Sequence, residues 1–304
     1  MKIAVTGAAS FIGEALYRYC QAHGIGWVGV DAAQPGERHQ IQADISEPGW
    51  GERLPSDLDA IVHLAAISRD ADCRRDPARA IAVNVTGTWR VIEAARARGV
   101  GQIVFASSEW VYGDIDAGLK DEDTPIQASS IASEYPLTKL AGERLLAMAA
   151  AGNTPETPRL SSATVLRFGI VYGPRPANWS AVESMYHAVA SGRDRIEVGS
   201  LDTARRFIHV DDIAAGIAAA LGRRVGFEIF NLTGDRLISL GDIIQESVRL
   251  HGRAPALEER TPGRSSVRNI DNARARRVLN WGPRIGLREG LESLAAGAAA
   301  GVRS

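Results

Sequence analysis

Short apolar runs alternate with stretches of helical periodicity through the first half of the chain. Short, mainly apolar runs, which suit strands buried on both faces of a sheet, lie at residues 3–5, 27–30, 59–66, 102–106 and 163–168, and residues 40–43 are a further candidate strand. Between them, recurring apolar positions predict helices up to Gly24 and over 76–98, and a polar loop at 114–133 leads to a further predicted helix over 134–151. Alternating strands and helices predict an α/β fold with a doubly wound parallel sheet.

The first strand leads into a glycine-containing turn, Thr6-Gly7-Ala8-Ala9-Ser10-Phe11-Ile12-Gly13. Gly7 permits a tight turn, and Gly13 lets the next helix pack closely on the strand. Strand, turn and helix start together place backbone N–H groups where a pyrophosphate binds. The turn therefore predicts a Rossmann-type fold with a dinucleotide site at Gly7, Ser10, Phe11, Ile12 and Gly13. Ser10 stands where a middle glycine is usual, and serine is small enough to be tolerated there.

Asp31 ends the second strand, at about the distance from the turn where dinucleotide folds hold the ribose hydroxyls. A carboxylate there accepts hydrogen bonds from a 2′-hydroxyl and repels a 2′-phosphate, and no arginine directly follows it. The sequence therefore predicts NAD as the cofactor, in preference to NADP. A plain βαβ turn with an incidental acid is the alternative interpretation.

The second half of the chain has shorter apolar segments between its helices. Helices are predicted at 181–191, 210–222, 239–251, 271–280 and 287–299, and a strand at 227–232 is expected to return to the main sheet. We therefore predict an NAD-binding Rossmann domain over residues 1–168 and a smaller C-terminal α/β lobe over 169–304 that mainly binds substrate. Such a lobe would cover the carboxyl ends of the strands, where open α/β sheets bind ligands.

Charge and composition argue against several classes of function. The formal net charge of the 304-residue chain is −1, which gives no electrostatic case for a nucleic-acid or membrane partner. No apolar run approaches the roughly 18 residues that span a bilayer, and a strand beginning at residue 2 leaves no room for a signal peptide. We expect a cytoplasmic protein. Cys20 and Cys73 have no metal-ligand or CxxC spacing, so no metal site is expected.

Tyr135 and Lys139 lie one helical turn apart on one face of a predicted helix. A tyrosine of ordinary pKa, about 10, acts as a base at neutral pH only when a positive field stabilises its phenolate. Lys139, with an oxidised nicotinamide ring, would supply that field. Ser108, at the end of a strand, would hydrogen-bond the same substrate oxygen. The three side chains suit removal of a hydroxyl proton while hydride passes to nicotinamide, although the Tyr/Lys spacing alone also fits a surface pair.

Further motifs occur in an order typical of one family. They are His63-Leu64-Ala65-Ala66, Asn84-Val85-Thr86-Gly87-Thr88, residues 107–113, Arg206-Phe207-Ile208-His209-Val210-Asp211-Asp212 and Leu279-Asn280-Trp281-Gly282-Pro283. With the glycine turn and Tyr135 to Lys139, they cover nearly the whole chain. The chain therefore resembles the extended short-chain dehydrogenases/reductases of the NAD-dependent epimerase/dehydratase family, in particular UDP-galactose 4-epimerase-like members.

The resemblance implies roles for individual residues. Tyr135 would be the catalytic base, Lys139 would bind the nicotinamide ribose and lower the pKa of the tyrosine, and Ser108 would orient the substrate. Further cofactor contacts are implied for Asp44, Ile45, Leu64, Ala65, Ala66, Asn84, Ser107 and Phe168. Leu64, Ala65 and Phe168 also suit simple core packing, and His63 is interpreted as a core histidine. Substrate contacts are implied for Ser108, Glu109, Arg205 and Arg260, of which Arg205 matches the family's diphosphate-binding arginine.

Three departures from the family pattern concern the reaction. Sugar-nucleotide dehydratases carry adjacent Asp and Glu before Val-Tyr-Gly, whereas this chain has Glu109 and Trp110, which disfavours dehydration. Ile170 stands where epimerase-like members have an asparagine. Near the C-terminus the family commonly has Arg-x-Gly-Asp. This chain instead has Arg260-Thr261-Pro262-Gly263-Arg264, so the phosphate-binding arginine is displaced from its usual position. Arg264 and Arg268 are candidates to replace it.

The resemblance favours a nucleotide-sugar epimerase, most simply a 4-epimerase that removes and returns hydride at one sugar carbon. The main alternative is an NAD-dependent dehydrogenase or ketoreductase acting on a sugar, sugar acid or other alcohol. A non-catalytic NAD-sensing protein is disfavoured, since a sensor needs no base. The implied partners are a small-molecule substrate and a second copy of the chain. The resemblance places the homodimer contact on the helix after the fourth strand and on the Tyr/Lys helix.

Overall fold

A computed structural model of the chain describes residues 1–36, 38, 40–113, 118–152, 160–175 and 180–301, with side chains as far as Ala295. The strands are β1 Lys2–Thr6, β2 Gly26–Asp31, β3 Ile41–Gln42, β4 Ala60–His63, β5 Gln102–Ser108, β6 Leu119–Lys120, β7 Ser162–Phe168, β8 Val171–Tyr172, β9 Arg195–Val198, β10 Ala204–Arg205, β11 Ile208–His209, β12 Gly226–Leu232, β13 Ile238–Ser239, β14 Ala256–Glu259 and β15 Val267–Ile270. The α-helices are α1 Phe11–Ala22, α2 Asp70–Arg75, α3 Pro77–Ile81, α4 Gly87–Ala97, α5 Glu134–Ala151, α6 Ala181–Ala190, α7 Val210–Ala220, α8 Leu240–His251, α9 Ala273–Leu279 and α10 Leu287–Gly301.

The largest sheet has seven strands in the order β12-β7-β5-β4-β1-β2-β3. Every pair from β7 to β3 is parallel. The order from β3 to β7, with β1 next to both β2 and β4, is that of the doubly wound Rossmann fold. Strands β4, β5 and β7 are buried along their whole length, as the continuous apolar runs predict. The predicted fold class is confirmed.

The chain divides into two compact units. The first contains Met1–Asp114, Thr124–Phe168 and Ala214–Phe230, and the second contains Ile115–Asp123, Gly169–Ile213 and Asn231–Ser304. The second unit has a mixed four-stranded sheet, β13-β10-β15-β6, and the two strand pairs β11-β8 and β14-β9. One of its apolar cores gathers buried side chains from β8, α6, α8 and α10, including Tyr172, Val182, Ile243 and Leu291.

The predicted helix over 76–98 is present from Pro77 to Ala97, but it is not α-helical throughout. Helix α3 is followed by a π-helical turn, Ala82–Thr86, before α4 begins. Within that turn, Asn84 bonds both backbone groups of Ile67: its Oδ1 accepts from the N–H at 2.8 Å and its Nδ2 donates to the carbonyl at 3.0 Å. The carbonyl of Asn84 accepts from the Thr88 hydroxyl at 2.7 Å. These bonds fix the widened turn and could not be read from apolar periodicity.

Two short elements have no apolar signal in the sequence. Helix α2 is polar, with only Cys73 buried, and the side chains of Arg74 and Asp70 bond across one turn at 2.6 Å. Strand β6 lies in the loop predicted at 114–133 and pairs in parallel with β15. Residues 114–117 of that loop lie outside the described residues.

Within the part of the chain that the structure covers, no helix combines the length and apolarity needed to cross a bilayer.

Candidate active site and cofactor site

The turn after β1 is closely packed on the end of β4. Gly7 adopts φ +73°, and a Cβ atom there would lie 2.6 Å from the backbone nitrogen of Ala65. A Cβ atom on Gly13 would lie 2.6 Å from the Ala8 carbonyl oxygen, so α1 begins directly against the turn. Ser10 caps α1, because its Oγ accepts the Gly13 N–H at 3.1 Å. The cradle that only glycine can line fits the pyrophosphate of a dinucleotide, with Phe11 and Ile12 in the first turn of the helix.

The carboxylate of Asp31 is fixed beside this turn. Its Oδ2 accepts the Ala9 N–H at 2.9 Å, and its Oδ1 accepts the Ala33 N–H at 3.0 Å. The two bonds hold the carboxylate at the carboxyl end of β2, where a dinucleotide fold places the adenosine ribose. The residues present therefore fit NAD.

Replacing Asp31 with alanine is expected to weaken NAD binding by about 10- to 100-fold, since a charge-assisted hydrogen bond contributes about 1.5–3 kcal/mol. NADP binding should not weaken in parallel, because the repulsion of a 2′-phosphate is lost. Asp31→Asn is the matched control: it retains an acceptor for Ala9 and removes the charge. Calorimetric titration with both cofactors checks this, and unchanged affinities for both in Asp31→Ala would contradict the ribose assignment.

Asp44 and Ile45 follow β3. The Asp44 Oδ1 accepts from the Ser46 N–H at 2.9 Å and from its hydroxyl at 2.7 Å, while Arg79 pairs with Oδ2. Partial burial would raise the pKa of the Asp44 carboxyl, but the bonds from Ser46 and Arg79 lower it below the ordinary value. Ile45 packs against Gly87, where a Cβ atom would lie 2.7 Å from its Cδ1. The contact between Arg79 and Asp44 was not anticipated from the sequence.

The residues after β4 are supported by a buried polar chain. The Thr6 hydroxyl and His63 Nδ1 are 2.7 Å apart, and His63 Nε2 lies 3.0 Å from the Thr88 hydroxyl. Burial, with the nearby charge of Lys139, lowers the pKa of His63 to about 3, so the ring is neutral. His63 is thus a core histidine, as interpreted from the sequence. Leu64 is buried, whereas Ala65 and Ala66 are half-buried.

Asn84 links this region to the helix that carries the predicted base. Besides its bonds to Ile67, its Nδ2 donates to the Thr138 hydroxyl at 3.0 Å. The Thr138 hydroxyl in turn donates to the Tyr135 carbonyl at 2.8 Å. The buried amide of Asn84 therefore fixes the first turns of α5 against the loop that follows β4.

The structure brings Ser108, Tyr135 and Lys139 together. Helix α5 accommodates Pro136 in its first turn, where the missing N–H has no intrahelical partner to lose. The Ser108 hydroxyl acts on the Tyr135 phenol and lowers its pKa. One turn on, Lys139 Nζ donates to the Ala106 carbonyl at 2.8 Å, and Nζ lies 4.9 Å from the centroid of the Phe105 ring. This is the arrangement in which a phenol and a serine hydroxyl can contact one substrate oxygen.

Burial dominates the electrostatics of the trio. It raises the pKa of Tyr135 to about 12, against the hydrogen bond to Ser108, which lowers it, and with the Cys73 thiol, which raises it further. It lowers the pKa of Lys139 to about 8, although Cys73 and Glu143 raise it. The resemblance implies that Lys139 lowers the pKa of the tyrosine. In the chain by itself, the pKa of Tyr135 reflects burial, Ser108 and Cys73.

Three further predicted residues lie at the carboxyl ends of β5 and β7. Ser107 is buried and donates to Glu143 Oε1 at 2.6 Å. Phe168 is buried and is the register partner of Ser108. Glu109 lies in a 3₁₀ turn, Glu109–Tyr112, and is wholly buried, while the neighbouring Trp110 is partly exposed.

The predicted arginines of the second unit lie in different sheets. Arg205 on β10 is the register partner of Arg268 on β15, and its guanidinium donates to Ser266 Oγ at 3.0 Å. Arg260 follows β14, pairs with Glu197 and is exposed. It lines a cleft of about 820 Å³ together with side chains of α6 and β9. Of the two candidates for the displaced arginine, Arg268 is therefore the one placed beside Arg205.

Two buried side chains next to the site were missed in the sequence. Glu143 bonds Arg167, and both are fully buried. A signal existed for each. Glu143 continues the four-residue spacing of Tyr135 and Lys139, and Arg167 is the single charged residue in the apolar run 163–168, where a buried charge requires a partner.

The chain is similar to known proteins over most of its length. The model of the NAD dependent epimerase/dehydratase family matches residues 3–233. The UDP-glucose 4-epimerase of Mycolicibacterium smegmatis is 32% identical over 96% of this chain and 96% of its own length. The dTDP-glucose 4,6-dehydratase of Streptomyces griseus is 27% identical over 96% of this chain and 92% of its own.

A solved structure extends the likeness to three dimensions. MoeE5 in complex with UDP-glucose and NAD is 28% identical, with a TM-score of 0.85 over 99% of this chain and 100% of that chain. The same protein in complex with UDP-glucuronic acid and NAD gives a TM-score of 0.84. The family match covers most of the chain, from the glycine turn through the Tyr135–Lys139 helix. The chain belongs to the NAD-dependent epimerase/dehydratase family.

Proposed function

We propose that the chain is an NAD-dependent nucleotide-sugar 4-epimerase. One observation carries the proposal: α5 places Tyr135 and Lys139 one turn apart against the end of β5 that carries Ser108, where Lys139 Nζ donates to the Ala106 carbonyl at 2.8 Å. Tyr135 would be the base, Ser108 the orienting hydroxyl and Lys139 the cation. The three side chains lie where α5 meets β5, and together they suit proton removal from an alcohol. The UDP-glucose 4-epimerase of M. smegmatis, which is 32% identical over 96% of both chains, supports the same reaction class.

In the proposed reaction, Tyr135 removes the proton of the hydroxyl group on the reacting sugar carbon. Bound NAD supplies reversible hydride transfer. Ser108 holds the same oxygen, so the proton leaves along a fixed direction. Lys139 positions the nicotinamide ribose and contributes positive charge beside the phenol. When the 4-keto sugar turns its other face, Tyr135 returns the proton as hydride returns to carbon, and the product is the 4-epimer.

Dehydration is a weaker assignment for this site. The elimination of water in the family uses adjacent Asp and Glu, and the second of these positions is Trp110 here. Indole has no titratable proton to exchange, so it cannot act as the second acid or base. The first position, Glu109, is wholly buried.

We propose a UDP-sugar as the substrate, since MoeE5 binds UDP-glucose and UDP-glucuronic acid in its two complexes. Arg205 and Arg268, register partners on one face of a sheet, would supply guanidinium groups for the diphosphate. The proposal gives the second unit the substrate and the first unit the cofactor. Glu109 and Arg260 remain proposed substrate contacts.

The reaction is tested with the purified chain and a panel of UDP-, dTDP- and GDP-sugars. An epimerase is expected to retain NAD through purification and to convert its sugar nucleotide to the 4-epimer, seen by NMR, without net accumulation of NADH. Sugar-free UDP is the control for binding without reaction. Stoichiometric accumulation of NADH with one sugar would replace the proposal with the alternative, an NAD-dependent dehydrogenase.

The proposal includes a homodimer in the cytoplasm. Large apolar side chains are exposed on the two helices that the family uses for dimer contacts, among them Trp89 on α4 and Leu137 and Met148 on α5. A shared helix face would cover them. The compartment is supported by the two free cysteines, Cys20 and Cys73, both buried and unbridged.

A further inference from the structure

A buried ion pair lies one helical turn beyond Lys139. Arg167 Nε donates to Glu143 Oε1 at 3.0 Å and its Nη2 donates to Oε2 at 2.7 Å. The side chains are 1% and 0% exposed, so the pair is shielded from bulk solvent. The Ser107 hydroxyl donates to the same Oε1, and Arg167 Cζ lies 4.9 Å from the centroid of the Tyr112 ring. The carboxylate of Glu143 is therefore held by three donors in one geometry.

Three consecutive turns of α5 face residues 106–108 of β5. Tyr135 is influenced by the hydroxyl of residue 108, which lowers its pKa, Lys139 donates to the carbonyl of residue 106, and Glu143 accepts from the hydroxyl of residue 107. Arg167 adds the neighbouring strand, because it is the register partner of residue 107. A shift of α5 along β5 would break all these bonds together, so Glu143 contributes to the spacing of the first two.

Glu143 is also the one acid among the described groups that face Lys139. Those groups are Tyr135 and Glu143 on α5, His63 on β4, Phe105 and the Ala106 carbonyl on β5, and Cys73 on α2. Burial keeps the His63 ring neutral, and it raises the pKa of the Cys73 thiol, which is then uncharged at neutral pH. Glu143 is therefore the carboxylate among these groups that raises the pKa of Lys139.

Stability alone does not account for the burial of this ion pair. The loss of hydration of two ions commonly offsets their attraction, and apolar replacements of similar volume are often as stable. Removal of a single partner is costly, because the other charge stays buried. Glu143 lies one turn from Lys139, and it is bonded to Ser107, the residue before Ser108, so its placement points to a role in the site.

We propose that Glu143 is a positioning residue of the Tyr135–Lys139 site. Through Ser107 and Arg167 it fixes α5 on β5, and its carboxylate keeps Lys139 in the ammonium form that the phenolate of Tyr135 requires. The proposal rests on the role proposed above for Lys139. It is tested by a measurement that needs neither substrate nor turnover. The result of that measurement can therefore be interpreted even if the epimerase assay fails.

The chain has only three lysines, Lys2, Lys120 and Lys139, which makes a direct titration feasible. Protein labelled with ¹³C at the lysine ε-carbon gives three signals, and Lys139→Met identifies the third. In Glu143→Gln, the pKa of Lys139 is expected to fall by about one unit below its wild-type value, because a carboxylate near the ammonium is lost and Arg167 is left uncompensated. If Glu143 had only a structural role, Glu143→Gln would lower the melting temperature and leave the pKa of Lys139 unchanged.

Two further variants complete the test. Glu183→Gln is the matched control: Glu183 forms another buried bridge, to Arg175 at 2.7 Å, and its replacement should leave the Lys139 titration unchanged. If Glu143→Gln does not fold, Glu143→Leu with Arg167→Met removes both charges together, and a smaller fall in the pKa of Lys139 is expected. A Lys139 pKa that stays within about 0.2 units of wild type in either Glu143 variant would overturn the proposal. So would an equal shift in Glu183→Gln.

Discussion

Replacing Tyr135 with phenylalanine is expected to reduce turnover by about two to four orders of magnitude, the usual contribution of a general base. The ring remains, so its packing in the first turn of α5 is preserved. The phenol hydroxyl, whose pKa Ser108 lowers, is lost, and with it the proton acceptor. NAD affinity should stay close to wild type, because the proposed ribose contact belongs to Lys139. Turnover is measured with NAD saturating, on a sugar nucleotide that the wild type epimerises.

The control is the folded state of the variant. Circular dichroism and NAD titration should match those of the wild type, so that a lower rate reports chemistry. A Tyr135→Phe rate within threefold of wild type would show that another group removes the proton. Glu109, wholly buried beside Ser108, would then be the candidate base.

Replacing Lys139 with methionine should lower turnover by about 100-fold or more and also weaken NAD binding. Burial raises the pKa of Tyr135 to about 12 in the chain by itself, so the phenolate depends on positive charge from Lys139 and the oxidised nicotinamide ring. Each unit of phenol pKa corresponds to about tenfold in the phenolate fraction at neutral pH. The apparent pKa on the rising limb of the pH–rate profile should lie well below that of free tyrosine in wild type. It should move upward in Lys139→Met.

The pKa of Lys139 also sets the direction in which turnover changes at high pH. Burial lowers the pKa of Lys139 to about 8, so its ammonium is present below that pH and is lost as pH rises through it. The wild-type profile should therefore level off or fall above about pH 8, and Lys139→Met should lack this limb. The variant with both replacements should be no slower than Tyr135→Phe, because both residues act on one proton transfer. Additive losses, or an unchanged rising limb in Lys139→Met, would contradict the assignment.

Elements with strong local signals were predictable from the sequence. Helix α5 begins at Glu134 and ends at Ala151, as predicted, and the glycine turn carries its own backbone requirement at Gly7. The spacing of Tyr135 and Lys139 follows directly from the helix. The parallel sheet follows from the alternation of strands and helices, since parallel strands need crossovers.

Elements that depend on distant partners were not predictable. Strand β6 has two residues and exists because β15, almost 150 positions later, supplies its hydrogen bonds. The direction of the Tyr135 pKa shift likewise depends on how completely the fold encloses the ring, and no local pattern encodes enclosure. The pairing of Glu143 with Arg167 joins a helix to a strand, so each side chain alone carries only half of the signal.

The π-helical turn over Ala82–Thr86 has a consequence for how this chain can change. Such a turn is an α-helix widened by one residue, so deletion of a single residue there would restore an uninterrupted helix from Pro77 to Ala97. Each residue of an α-helix turns the chain by about 100°, so the deletion would swing one end of the helix by that angle relative to the other. Asn84 could then no longer reach both Ile67 and Thr138 while Thr88 meets His63. A change of length in this segment is therefore far more disruptive than a change of side chain, although a continuous helix is locally the simpler structure.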